Sequence, residues 1–563
     1  MHALTTTARS IAATPGKRLV GPAFCILFLL QGLVFIPCVG LQNDELLFTG
    51  PLYAPDTTVQ GSIRILGHRI PTMLMVYVGA LKAWIYRPIL DLWPPSPWSI
   101  RLPVLFLGAV TIWLFFVLAR NACGTGTGVI AAALLTTDAT FVLTTCFDWG
   151  PVVLQHFLLV SGCLLLWRFH RTGALPCLGG GFFVFGAALW DKALFSWSLV
   201  GLLVAAAVVF PRALSSKLTL RNIAIAVAGF LIGAAPVLAY NAAEPLKTFR
   251  TTAQFSVTGV ADKALMLRGA LEGSALIGPS LSGYIVRDHS TPCPGRPANA
   301  FERASVELDT AAGPRAGLLP AAGILALILL PWLWRTPARA PMLFALIFSA
   351  AVWSQMAFTK GAGTGQHHAV LLWPFPQLFV ASALAETAKR LGHRGLIAIV
   401  LVVVLVCGSN VLILNRHIAQ LIGCGATTIW TDAIDPLAAY LRANPPGFPG
   451  ASSGRVYLMD WGIFYPLLAL SQGRLDLRFG WHSLDGGLDR ADREVVVRML
   501  ADKDAVFVGH TAGNALVLGV SARLDELAQP LGYRKKVLTT ISDRHGRPIF
   551  EVFRFLEGPS SNP

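Results

Sequence analysis

The sequence predicts a polytopic α-helical membrane protein that ends in a small α/β domain. Of its 563 residues, 54% are hydrophobic and only 13% are charged, and the mean hydropathy is +0.60. A water-soluble fold has no room to bury that much apolar side chain. Apolar segments near the bilayer-crossing length of about twenty residues recur along the chain. After residue 417 they give way to short apolar runs between polar loops.

The first apolar segment, Gly21–Val39, carries no charge and follows a basic stretch with Arg9, Lys17 and Arg18. Basic residues are retained in the cytoplasm, so we expect a cytoplasmic N-terminus. A cleaved signal peptide is the alternative. No small-residue cleavage site follows the segment, which favours a retained anchor.

Applied to the whole chain, the length criterion predicts about eleven spans. After the first, they are Leu102–Ala119, Thr125–Ala139, Val152–Trp167, Cys177–Trp190, Leu194–Phe210, Ile223–Tyr240, Leu318–Trp334, Met342–Phe358, Ala369–Leu384 and Leu396–Leu414.

The basic clusters between these spans all fall on the side of the N-terminus, as cytoplasmic loops require. They are Arg120, then Arg168 with Arg171, then Arg212, Lys217 and Arg221, then Arg335 and Arg339, then Lys389, Arg390 and Arg394. This distribution explains the net charge of +15 without a nucleic acid partner. An odd number of spans places the C-terminal region outside.

Two loops, about 40–99 and 241–315, and the region after residue 417 are therefore predicted to face outward. We expect a membrane domain over residues 1–417 and an extracytoplasmic α/β domain over 418–563. In the first loop, the stretch Ile70–Ile85 is interrupted by Lys82, which favours a helix lying in the membrane interface.

The C-terminal region alternates strand-like and helix-like patterns, as a small α/β domain does. Strands are predicted at Arg455–Asp460, Ala505–Gly509 and Ile549–Phe553. Helices are predicted between them, at Pro436–Arg442 and Glu494–Leu500.

Carboxylates mark the outer face of the predicted membrane domain. Asp44 and Glu45 follow the first span, and Asp148 lies between the third and fourth spans. Asp138 lies deeper, where a carboxylate needs a partner or water. An acidic pair at a membrane surface binds a cation or handles a proton, or is simply a solvated loop start. Asp148 is equally well read as a helix N-cap, and the two roles are compatible.

Basic and imidazole side chains are predicted at the same face. Lys192 interrupts the apolar hairpin Cys177–Phe210 beside Asp191, and Arg101 begins the second span. Both are candidates for binding a phosphate, against the alternatives of an ion pair or of snorkelling at a turn. His367 and His368 follow a glycine-rich stretch, where phosphate binding, a metal site and a flexible loop all remain open.

Together these residues resemble the GT-C superfamily of integral membrane glycosyltransferases. Within it they are similar to the family 39 group of protein mannosyltransferases, aminoarabinose transferases and Rgt-type enzymes. The resemblance rests on the order of short motifs over about the first four hundred residues. These are Asp44-Glu45, Ser99-Ile100-Arg101-Leu102, Asp148, Lys192 and Gly365–Pro376.

The resemblance implies a hexosyl- or pentosyltransferase that moves a sugar from a polyprenyl-phosphate donor, usually with inversion. It implies catalytic roles for Asp44, Glu45 and Asp148, with Asp44 activating the acceptor. Lys192, Arg101, His367 and His368 would hold the donor phosphate. The acceptor is a lipid, a glycan or a protein, and the location is the bacterial inner membrane with the active site on the extracytoplasmic side.

A transporter or a flippase for lipid-linked sugars is the alternative function, because intramembrane charges such as Asp138 and Lys192 also line transport pathways. No internal two-half symmetry supports it. The resemblance fixes no cofactor and leaves a divalent metal ion open. Pairing of Cys293 with Cys424 is also left open.

Overall fold

The computed structural model describes residues 15–274, 295–426, 428–444, 454–486 and 488–557. Arg9 of the basic N-terminal stretch and Cys293 of the possible cysteine pair lie outside these ranges.

Helices dominate the chain up to residue 424. In the first part, β1–β3 form a small sheet between the short helices α2 and α3 and the helix α4. The elements are α1 Pro15–Phe35, α2 Gly50–Tyr53, α3 Pro55–Thr58, β1 Gly61–Ile65, β2 His68–Met75, β3 Val78–Gly79, α4 Leu81–Leu92, α5 Pro97–Cys123, α6 Thr125–Thr137, α7 Ala139–Phe147, α8 Val152–Thr172, α9 Leu175–Asp191, α10 Phe195–Val209, α11 Pro211–Ser215 and α12 Leu220–Ala243.

The remaining elements continue the helical part and then form the C-terminal sheet. They are α13 Lys247–Thr252, α14 Val260–Glu272, α15 Ala300–Ala312, α16 Leu319–Leu329, α17 Arg339–Ala357, α18 Gln366–Ala369, α19 Phe375–Cys424, α20 Ile434–Ala443, β4 Arg455–Leu458, α21 Phe464–Leu470, β5 Asp476–Phe479, α22 Arg490–Leu500, β6 Val506–His510, α23 Val520–Ala528, β7 Tyr533–Ser542 and β8 Pro548–Glu557.

Six helices in the described ranges are long and apolar enough to cross a membrane, or seven if the bent pair α6–α7 is one span. The chain is therefore a multi-pass membrane protein, as predicted. Three further apolar helices, α9, α10 and α16, are shorter. The 50-residue α19 contains a break at Gly392, whose φ of 65° is not helical. Helix α19 therefore contains most of the last two predicted spans. The count of about eleven spans stays a prediction.

The bend between α6 and α7 measures 59° and is centred on Asp138. Its carboxylate accepts a hydrogen bond from the backbone N–H of Phe141 at 2.8 Å, which caps the N-terminus of α7. The other oxygen accepts from Nε2 of Gln377 at 2.8 Å. Asp138 therefore has the partners that a deep carboxylate requires.

The prediction of a single interfacial helix over Ile70–Ile85 is wrong. Leu66 and Gly67 have positive φ angles of 51° and 82°, which suit a tight hairpin turn between β1 and β2. The stretch therefore continues β2 to Met75 and forms β3 at Val78–Gly79, and α4 begins only at Leu81. Lys82 is 4% exposed, because it is directed into the protein and does not lie along the membrane surface.

The C-terminal sheet has the strand order β5-β4-β6-β8-β7. The first three strands are parallel, and β8 and β7 are antiparallel to their neighbours. Strands β4, β6 and β8 lie where strands were predicted. One apolar core joins this sheet to the first loop, since Leu46, Phe48 and Tyr86 belong to the same buried cluster as Leu467 and Val508.

The sheet is also fixed to the end of α19. Arg547, at the start of the β8 hairpin, donates to the backbone carbonyl of Gly423 at 3.0 Å and is paired with Asp543 at 2.6 Å. A cation at a helix C-terminus satisfies carbonyls that lack helical partners. These contacts fix the β7–β8 hairpin to the end of α19.

Candidate functional site: a carboxylate and cation cluster after the first helix

The loop after α1 is shaped by Gln42. Its Oε1 accepts hydrogen bonds from the backbone N–H groups of Asp44 at 2.6 Å and Glu45 at 2.9 Å. A side chain that bonds the backbone two and three residues ahead holds a turn in place of a helix or strand. The turn leaves Asp44 half-buried and Glu45 fully buried, so the two adjacent carboxylates have different surroundings.

Glu45 forms a bidentate ion pair with Arg101. Nε of Arg101 lies 2.7 Å from Oε1 and Nη2 lies 2.8 Å from Oε2. The guanidinium also donates to the carbonyls of Ile36, Val39 and Gly40 at 2.6–2.8 Å. Both side chains are at most 1% exposed. The structure thus gives Arg101 a buried partner in Glu45 at the end of α1, and the phosphate-binding role of Arg101 and the catalytic role of Glu45 stay predictions.

Asp44 has two differently placed oxygens. Oδ2 accepts from the indole Nε1 of Trp149 at 3.3 Å, and Oδ1 accepts from Nδ2 of Asn43 at 3.3 Å. Burial raises the pKa of the Asp44 carboxyl above its usual value, while these hydrogen bonds and the charge of Lys192 act in the opposite direction. A partly accessible carboxylate with a raised pKa suits proton transfer.

Asp148 ends α7 in the left-handed conformation, with φ 40°, and is buried. Its Oδ1 accepts from the backbone N–H of Val153 in the first turn of α8 at 3.0 Å, but the N-cap residue of α8 is Pro151 and Asp148 is the C-cap of α7. Its Oδ2 lies 2.6 Å from Nζ of Lys82. Lys82 also donates to the carbonyl of Glu45 at 3.3 Å and thereby links both acidic segments.

The sequence analysis does not predict Lys82 as a site residue. Its charge inside the semi-apolar stretch Ile70–Ile85 is the sequence feature that indicates it. Its partner lies 66 positions away in the sequence, and no periodicity connects the two.

Lys192 is buried between α9 and α10 and donates to the carbonyl of Gly150 at 2.7 Å. Burial lowers its pKa to about 8, against the opposing effect of Asp191, Asp148 and Asp44. Asp191 instead accepts a hydrogen bond from Nε2 of Gln155 at 2.8 Å. The predicted cation is therefore at the site, within electrostatic reach of both carboxylates.

His367 and His368 lie on α18, with ring centroids 4.1 Å apart, and His367 packs on Trp149 at 4.4 Å. Burial lowers the pKa of His368 to about 3 and that of His367 well below its usual value. Both rings are therefore neutral at neutral pH. Among the described residues, neither Nδ1 atom has a hydrogen-bond partner, which leaves both rings able to bond a ligand.

Two tyrosines that the sequence analysis did not single out also lie near Asp44. Burial raises the pKa of Tyr77 and raises that of Tyr465 to about 12, and in both cases the charge of Asp44 adds to the shift. Tyr465 lies on α21, in the C-terminal region. No sequence pattern indicates that Tyr465 lies near Asp44, because this depends on how the sheet packs against the first loop.

The described residues contain no group of three or more His, Cys, Asp or Glu side chains placed to share a metal ion. No metal enters the chemistry proposed below.

Residues 79–240 match the family model of dolichyl-phosphate-mannose-protein mannosyltransferases. No curated protein matches the chain. Solved structures of membrane glycosyltransferases do. ArnT from Cupriavidus metallidurans, bound to undecaprenyl phosphate, has a TM-score of 0.57 and 13% identity over 96% of this chain and 98% of its own.

AglB, the archaeal oligosaccharyltransferase from Archaeoglobus fulgidus, has a TM-score of 0.51 and 11% identity over 98% of this chain and 75% of its own. At such identities the likeness establishes a common fold. Together with the family match, it confirms the predicted resemblance to GT-C glycosyltransferases of the family 39 group.

Proposed function

We propose that this GT-C-type chain transfers a sugar from a polyprenyl-phosphate carrier to a hydroxyl or amine acceptor, with Asp44 as the catalytic carboxylate. The observation that supports the proposal most strongly is the position of Asp44. Its half-buried carboxylate lies beside a cluster of Trp149, Lys192 and His367, in a fold shared with a protein that binds undecaprenyl phosphate.

The chemistry follows from these surroundings. The acceptor oxygen or nitrogen attacks the anomeric carbon while the bond from that carbon to the carrier phosphate breaks. The electron pair leaves with the phosphate, and the acceptor proton passes to Asp44. A carboxylate kept partly from water accepts a proton more readily than a solvated one.

The departing phosphate needs positive charge and hydrogen-bond donors. Lys192 supplies the charge. The Nδ1 atoms of His367 and His368, which have no hydrogen-bond partner in the described part of the chain, are available as donors. Asp148 acts through Lys82: their 2.6 Å ion pair holds the segment between α7 and α8 against the loop that carries Asp44. Glu45 and Arg101 hold that loop from the other side.

We further propose eleven passes in a bacterial inner membrane, with the site and residues 418–563 outside. The basic clusters support this orientation. Arg120, Arg168 and Arg171 lie at the ends of α5 and α8, whereas Asp44, Lys192 and His367 follow or precede the opposite helix ends. The five-stranded sheet supports an extracytoplasmic α/β domain, which shares an apolar core with the first loop.

The test is sugar transfer by the purified protein in liposomes. Radiolabelled polyprenyl-phosphate hexoses and pentoses are offered with lipid, glycan and peptide acceptors, and products are separated by chromatography. We expect labelled acceptor and free polyprenyl phosphate in equal amounts. Movement of intact lipid-linked sugar across the bilayer without a labelled product would instead support the flippase alternative.

A further inference from the structure

Asn43 connects the C-terminal region to the proposed catalytic carboxylate. Its side chain is buried, with 8% exposure. Its Oδ1 accepts from the backbone N–H of Tyr465 at 3.5 Å, and its Nδ2 donates to Oδ1 of Asp44 at 3.3 Å. One amide thus bonds a residue of α21 with one end and Asp44 with the other.

The two oxygens of Asp44 therefore face two different surroundings. Oδ2 lies on the side of Trp149, where His367 packs and where Lys192 reaches the carbonyl of Gly150. Oδ1 lies on the side of Asn43. A displacement with inversion requires the leaving group and the nucleophile on opposite faces of the reacting carbon. The cationic side suits the phosphate and leaves the side of Asn43 for the nucleophile.

The C-terminal sheet is built to present Tyr465 on that side. From β4 the chain passes outward to β5 and returns to β6 on the other side of β4. The carboxyl ends of β4 and β6 thus flank the point where the strand order reverses. In open α/β sheets this crevice is the common position for a ligand.

Asp460 stabilises the loops at this crevice. Its carboxylate accepts from the backbone N–H groups of Trp461, Leu516 and Val517 at 2.8–2.9 Å and lies 2.6 Å from Nδ1 of His510. The segment that leads to Tyr465 is therefore held between the ends of β4 and β6, and it is not a free loop.

We propose that Tyr465 and Asn43 form the acceptor side of the Asp44 site. Tyr465 contacts the polar group that carries the nucleophile through its phenol, and Asn43 is a positioning residue that orients Asp44 Oδ1 toward that group. The inference rests on the proposed function and adds to it the side from which the acceptor enters.

The chemistry of the acceptor step assigns a distinct task to each residue. The attacking oxygen or nitrogen gives its proton to Asp44 Oδ1 as it bonds to the anomeric carbon. The phenol of Tyr465 stays protonated at neutral pH and donates to, or accepts from, a neighbouring polar atom of the acceptor. Removing that phenol therefore affects acceptor binding and leaves donor binding unchanged.

Tyr465→Phe tests this assignment, because it keeps the ring and removes one hydroxyl. Loss of one hydrogen bond predicts a rise of about five-fold in the KM for the acceptor, with the KM for the lipid donor unchanged. Tyr457→Phe is the matched control: Tyr457 is also half-buried, but it lies within β4 and stacks on Phe507. An unchanged acceptor KM in a folded Tyr465→Phe protein would overturn the inference.

Asn43→Asp supplies a second, independent readout. It removes the N–H donor and places a like charge beside Asp44, and both changes favour the protonated form of Asp44. The acidic limb of the pH–rate profile should therefore move to higher pH while the plateau rate is largely retained. A profile identical to that of the wild type would contradict the positioning role.

Different results would overturn the proposed function and the acceptor side assigned here. If the wild-type protein transfers no sugar from any donor, the proposed function is overturned and this inference with it. If the wild-type protein transfers sugar but neither variant shifts its own readout, only the acceptor side assigned here is wrong.

Discussion

The buried pair of Glu45 and Arg101 allows a specific stability prediction, because it lies in the loop that carries the proposed catalytic residue, Asp44. The guanidinium makes two bonds to the carboxylate and three to backbone carbonyls at the end of α1. Glu45→Gln keeps the shape of the side chain and removes its charge. An arginine without its counter-ion is then left in the interior.

Breaking a buried ion pair from one side costs about 3–5 kcal/mol. We therefore expect Glu45→Gln to lower the apparent melting temperature of the purified protein clearly. Asp91→Asn, which breaks the exposed pair with Arg87 in the same loop at 3.2 Å, should cost no more than about 0.5 kcal/mol.

The double variant Glu45→Leu/Arg101→Met separates charge from hydrogen bonding. Removing both charges should recover part of the stability lost in Glu45→Gln, but not all of it, since the three carbonyls lose their donor. The assay is thermal unfolding in detergent, followed by transfer activity per folded molecule. An Arg101→Met protein of wild-type stability with weakened donor binding would refute this reasoning and support the predicted phosphate role of Arg101.

Three further predictions concern the cations and the imidazoles. In the proposed site Lys192 acts as a cation whose pKa burial lowers to about 8, so transfer should fall as the pH rises through about 8, and Lys192→Arg should remove that limb. A limb that persists in the arginine variant would assign it to another group. Lys82→Met leaves Asp148 buried without its counter-ion at 2.6 Å and should cost about 3–5 kcal/mol of stability. Thermal unfolding measures this loss, and Lys82→Arg should be destabilised much less. His367→Phe keeps the packing on Trp149 but removes the ring nitrogens, so donor KM should rise at unchanged melting temperature. Unchanged donor kinetics would exclude His367 from the phosphate site.

Much of the fold can be predicted from the apolar periodicity and from the order of the motifs. Apolar length locates the helices, and the basic clusters distinguish their two ends. Periodicity does not predict the bend at Asp138, because the bend depends on a capping contact with Phe141. It does not predict the strands of the first loop either, because they depend on a two-residue turn. Ile70–Ile85 illustrates the limit: its apolar content suits an interfacial helix, yet the Leu66–Gly67 turn makes its first half a strand.

The sequence singles out several side chains of the candidate site, but not Lys82 or Tyr465, and it does not show which side chains contact one another. Asp44, Asp148, Lys192 and the histidines lie together because their segments all end at one face. What the sequence does not reveal is which charge neutralises which. Arg101 is matched to Glu45 and Lys82 to Asp148 by the packing of distant segments. The position of Tyr465 next to Asn43 depends on the packing of a sheet that lies more than four hundred residues later in the chain.

The central claim is that Asp44 is the carboxylate at which the sugar is transferred. It is tested most directly by single-turnover transfer with Asp44→Asn in liposomes, beside Asp56→Asn as the exposed carboxylate control in the same loop. We expect the amide to bind lipid donor normally and to transfer at least about a hundred-fold more slowly, the scale of general base catalysis, while Asp56→Asn matches the wild type. Transfer at the wild-type rate by a folded Asp44→Asn protein would contradict the account.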